Sequence, residues 1–141
     1  MIKFFIQFLF ASLVAFGSTT FADSPERDAA ITAVVSDQID AFSKDDSERA
    51  FSHASPTIKA GIRTHERFLK MVKRSYGMIY RPSSHEMEEV KELHGKVYQV
   101  VLFVDQDKKR FKIFYEMQKQ EDGSWKINGV TPFVASGDSF A

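Results

Sequence analysis

The 141-residue sequence contains no cysteine. Disulfides, thiolate metal sites, thiol redox chemistry and cysteine nucleophiles are excluded together. Net charge is missing too, since 19 Lys and Arg balance 19 Asp and Glu. That balance gives no pull toward nucleic acid. The four histidines, His53, His65, His85 and His94, include no pair at the i, i+4 or alternate-strand spacing of a metal site. The glycines make neither a phosphate loop nor a Gly-x-Ser-x-Gly elbow. The sequence therefore assigns no catalytic residue, no metal site and no cofactor.

A long apolar stretch occurs once, from Phe4 to Phe16, broken only by Gln7 and Ser12. Lys3 precedes it, and small residues lead to Thr20-Phe21-Ala22. This is the layout of a secretory signal peptide over residues 1–22, with the cut after Ala22. The stretch is shorter than the roughly 20 residues that span a bilayer. An uncleaved anchor is the alternative. No cysteine follows to take a lipid. The expected location is the periplasm, or the medium after full secretion. Once Lys3 is removed, 18 basic residues remain against 19 acidic. A single domain over 23–134 is expected, with a loose tail at 135–141. A chain of this size buries roughly two-thirds of its unfolded surface, enough for a core without cross-links.

The remainder divides into a helical half and a strand half, which predicts an α+β domain. Ser24 caps a first helix with Pro25 at its first position. Ile31, Val34, Val35, Ile39 and Phe42 recur at helical spacing, with Gln38 on the same face. Asp45 or Asp46 caps a short second helix carrying Ala50 and Phe51, which Ser55-Pro56 breaks. A link over 57–63 leads to a third helix capped by Thr64 and stopped by Gly77. That helix carries Phe68, Leu69, Val72 and Tyr76 on one face and Arg67, Lys70 and Arg74 on the other. Strands are predicted at 96–104, 110–118 and 125–133, joined by Asp105-Gln106-Asp107-Lys108 and by Glu121-Asp122-Gly123-Ser124. Residues 83–95 read both ways. Ser83 with Glu86 makes a capping box for a helix, and the same residues suit an edge strand after Pro82.

Several features in this order carry a resemblance. They are Gln38-Ile39-Asp40-Ala41-Phe42, Lys44-Asp45-Asp46, Ala50-Phe51 and Gly123-Ser124-Trp125-Lys126-Ile127. The chain resembles the nuclear transport factor 2-like fold, cystatin-like in its broader class. The resemblance implies three N-terminal helices packed on a curved antiparallel sheet of about four strands, with 83–95 as a strand. Ala54-Ser55-Pro56, Phe68 to Val72, Tyr76 and Tyr80-Arg81-Pro82 carry a narrower likeness over nearly the whole mature chain. By these residues the chain is similar, within that fold, to the exported bacterial domain of unknown function 4864 family. Ketosteroid isomerase shares the fold. Its tyrosine donor falls at Gln38 here and its aspartate base near Lys59, and both departures argue against that chemistry.

Three functions are compatible with these features. The preferred one is a non-catalytic exported domain that binds a small ligand in the helix–sheet cavity or a protein partner on the open sheet face. Gln38, Tyr76, Tyr80, Tyr98, Tyr115 and Trp125 are the ligand candidates. A homodimer through the outer sheet face, where Phe114 lies, belongs to this reading. The second is an isomerase, dehydratase or hydrolase using Gln38, His53 or the tyrosines. The third is contact with an anionic surface through Arg67, Lys70 and Arg74. Residues 57–82 hold seven basic side chains and one acidic, against three basic and eight acidic over 23–56.

Overall fold

The computed structural model describes residues 24–135. The signal segment expected at 1–22, its cut site and the tail from 136 lie outside the described residues. Five helices precede four strands: α1 (Pro25–Ser43), α2 (Ser47–Ser52), α3 (Pro56–Ile62), α4 (His65–Ser75) and α5 (Gly77–Tyr80), then β1 (Ser84–Leu93), β2 (Lys96–Val104), β3 (Arg110–Lys119) and β4 (Trp125–Val134). The strands form one antiparallel sheet in the order β1-β2-β3-β4, so the domain is α+β. Among the described residues no helix is long and apolar enough to cross a membrane.

The helix count corrects the expectation of three. Ser55-Pro56 ends α2 and also begins α3. Proline is expelled from a helix interior but suits the first position, where its missing N–H costs nothing. The Ser55 hydroxyl accepts the Ile58 N–H as the cap. The link expected over 57–63 is thus a seven-residue helix. Gly77 ends no helix in the expected sense. Tyr76 makes the break, with φ −133° and ψ 47°, and Gly77 opens the single turn α5.

Residues 84–93 are a strand. Long-range pairing with β2 outweighs the local capping signal. The Ser83 hydroxyl donates to the Val104 and Asp105 carbonyls and caps no helix. His94 and Gly95 have φ of 52° and 75°, the positive values that a two-residue type I′ hairpin turn requires. β1 carries a bulge between Met87 and Val90.

The core lies between the helices and one sheet face. Ile31, Val35, Ile39 and Phe42 of α1 meet Val101 and Phe103 of β2 and Ile113 and Tyr115 of β3. α1 thus presents the stripe that its spacing encodes. Burying each such side chain contributes about 1.5–3 kcal/mol. One fully buried amide stands among these groups. Gln99 accepts from the Thr32 hydroxyl at 2.6 Å and donates to the Glu88 and Val100 carbonyls at 2.9 Å. Glu88 lies in the β1 bulge, so Gln99 satisfies a carbonyl that the irregular ladder leaves free.

Candidate functional site

A cavity of about 220 Å³ lies between helices and sheet. Tyr115 of β3 with Ile127 and Val130 of β4 form its sheet wall. Gln38 and Phe42 of α1 and Phe68 and Val72 of α4 form the helical wall. Ile58 and Ile62 of α3, with Met71 of α4, border it and are only half-buried. The bordering helix α3 is held by β4. The Ser55 hydroxyl donates to Asn128 Oδ1 at 2.8 Å. Asn128 sits at the β4 irregularity between Ile127 and Gly129, where the register against β3 shifts. Ser55 N and Ile127 N then bond the Ile127 and His53 carbonyls, both at 2.8 Å. A bulge thus turns an asparagine toward α3 and fixes the cavity border.

Three polar side chains interrupt the apolar wall, those of Gln38, Tyr76 and Tyr115. The Gln38 amide donates to the Ala50 carbonyl at 3.1 Å, tying α1 to α2. The Tyr115 hydroxyl is buried and has no hydrogen-bond partner among the described residues. Burial alone pushes its pKa well above the ordinary value of 10.0, so the group stays a neutral phenol with a free donor. A buried hydroxyl without a partner costs about 1–3 kcal/mol. Among the described residues the walls carry no carboxylate, imidazole, amine or guanidinium. A ligand that enters meets hydrocarbon, one amide and two phenols, those of Tyr76 and Tyr115. Such walls can bind and orient. They lack a group that exchanges protons near neutral pH.

The family model described as Domain of unknown function (DUF4864) matches residues 24–139. The chain belongs to this family. No curated protein matches the chain. The DUF4864 description carries no activity, so the chemistry open to this DUF4864 domain is read from its own side chains.

Of the six ligand candidates, Gln38, Tyr76 and Tyr115 meet at the cavity. The other three lie elsewhere. The Tyr80 hydroxyl donates to Asp45, and the Arg81 guanidinium stacks 4.1 Å from the Tyr80 ring. Arg81 also bonds Asp45 at 3.0 Å and the Phe42 carbonyl at 2.8 Å. Tyr80 therefore belongs to a clamp between α5 and the end of α1. The Tyr80 hydrogen bond, then Arg81 and Lys73, hold the Asp45 carboxyl below its usual range. Tyr98 is on the opposite sheet face, edge-on to Phe114 at 6.1 Å. Trp125 lines a separate groove with Arg27, Glu92 and Val97. That groove is broad but bordered by charged groups that pair across it, Arg27 with Glu92 at 3.9 Å.

His53 turns away from the cavity. Its Nε2 lies 2.6 Å from Asp37 Oδ2. That bond, then the Arg49 charge, lowers the Asp37 pKa. Among the described residues no three His, Asp or Glu side chains gather as a metal site requires. Arg67, Lys70 and Arg74 are exposed on α4. Sequence reasoning missed Ile58, Ile62 and Met71. Their signal was i, i+4 apolar spacing across Ile58 and Ile62, hidden inside what read as a link.

Proposed function

We propose that the protein is an exported, non-catalytic binding domain of the nuclear transport factor 2-like type, holding a small and mainly apolar molecule in the helix–sheet cavity. The observation that carries this reading is the Tyr115 hydroxyl, buried and unpartnered on a cavity wall. Buried polar groups are nearly always paired, and an orphan hydroxyl on a cavity-lining residue suits a ligand acceptor. Export is supported by the layout of residues 1–22. The fold type is supported by helices followed by an antiparallel meander with a cavity between them.

Size narrows the ligand. A cavity of roughly 150 Å³ holds benzene, and drug-sized ligands take about 300 Å³ or more. At about 220 Å³ this site suits one ring, or a short branched chain, with one polar group. The test compares 4-methylphenol with toluene by NMR titration of the wild type and Tyr115→Phe. Wild type should prefer the phenol by roughly threefold to tenfold, the worth of one hydrogen bond, and Tyr115→Phe should lose that preference. Absence of saturable binding by either probe would refute the reading.

A second reading concerns the outer sheet face. Tyr98, Phe114 and Phe133 form an edge-to-face row, and Phe133 is 47% exposed. The neighbouring charges are already paired, Lys112 with Glu88 at 3.2 Å and Lys96 with Glu116 at 3.1 Å. A second copy could face this surface without like-charge repulsion. Sedimentation should then give a dimer that Phe133→Asp dissociates. A monomer at high concentration would remove this reading.

A further inference from the structure

The cavity border is apolar, but the surface beside it is cationic. Met71 lines the cavity from α4. On a helix, residues three and four apart are neighbours on one face, about 5–6 Å between Cβ atoms. The neighbours of Met71 at those spacings are Phe68 and Ser75 on one side and Arg67 and Arg74 on the other, and both arginines are exposed. Arg63 follows the cavity-lining Ile62 at the end of α3, in a left-handed conformation with φ 78°.

These cations differ from most others in the domain. Arg49, Lys73, Arg81, Lys96 and Lys112 each have an acidic partner. Arg63, Arg67, Lys70 and Arg74 have none among the described residues. The one acid of α4, Glu66, is turned to His65 at 3.1 Å. Packing explains why these residues lie outside the core. It does not explain three unpaired guanidinium groups beside an apolar opening.

We infer that the cavity ligand is a small organic acid, with its apolar body inside the cavity and its carboxylate outside, held by Arg67 and Arg74 with Arg63 alongside. The hydrogen-bonding group that Tyr115 receives is at the inner end. This rests on the cavity being the ligand site. Guanidinium suits the task, because its planar fork pairs both carboxylate oxygens. The border excludes an amine as the outer group by like charge.

The test uses 3-(4-hydroxyphenyl)propionate and its neutral carboxamide, two probes of nearly equal size, by calorimetric titration. Each exposed ion pair is worth little, so two arginines should favour the acid by roughly threefold to tenfold at low salt. The preference should fade in about 1 M salt, where screening acts within roughly 3 Å. The double variant Arg67→Gln/Arg74→Gln should remove it and leave carboxamide affinity unchanged, which also reports that the variant is folded. Equal affinity of acid and carboxamide for the wild type would overturn the inference and leave the cavity reading standing. So would a preference that survives the double variant. Failure of both probes to bind would overturn the two together.

Discussion

Tyr115 and Gln99 face the same side of adjacent strands, directly paired in the ladder, yet their polar atoms are treated differently. Gln99 finds the Thr32 hydroxyl and two carbonyls. Tyr115 finds no partner among the described residues. Removing the Tyr115 hydroxyl should therefore stabilise the empty protein. Tyr115→Phe is expected to raise unfolding free energy by about 1 kcal/mol, the cost of an unsatisfied buried donor, as read from urea denaturation at an unchanged m-value. Destabilisation would show that the hydroxyl has a partner in the free protein. The alternation of Phe111, Ile113, Tyr115 and Met117 made the inward place of Tyr115 legible, as helical spacing did for Gln38. Gln99 was not legible. Its role exists only because the β1 bulge frees the Glu88 carbonyl, and no local pattern announces a bulge.

At the scale of elements, the α5 clamp has a definite pH signature. The Asp45 carboxyl accepts from Tyr80 and pairs with Arg81, and its pKa in the folded state lies below 3.8. A lowered folded pKa stabilises above the unfolded value. That contribution is lost as pH falls through the folded value. Asp45→Asn should thus lower Tm at pH 6–7, and the gap to wild type should close as pH falls below about 3.8. A gap unchanged across that range in calorimetry would mean the clamp does not act through the carboxylate charge. The strands β2, β3 and β4 were legible because an apolar run on both faces of β2, the alternation of β3 and the Asp-rich or Asp-Gly turns between them agree locally. β1 was ambiguous, since a capping box and three-residue apolar spacing compete with a pairing that only β2 supplies. α3 was hidden because seven residues span less than two full turns of periodicity. Its cap, Ser55, also served as the end signal of α2.

Across the whole molecule, acidic residues concentrate before residue 57 and basic ones over 57–82. The fold converts that linear asymmetry into position. Much of the acidic segment is internally paired, with Arg49 bridging Asp37 and Asp40. The basic segment supplies α3 and α4, which border the cavity. Charge polarity along the chain was therefore legible, and its nearness to an apolar opening was not. In the proposed reading this opening leads to a ligand site anchored at Tyr115. The most direct measurement is a crystal of the purified protein soaked with 4-bromophenol, with the bromine located by anomalous scattering. A bromine peak is expected in the cavity between α3, α4 and β4, with the phenol oxygen within about 3 Å of the Tyr115 hydroxyl, hydrogen-bond distance. A cavity without a peak, or bromine only in the Trp125 groove or on the Phe114 face, would contradict it.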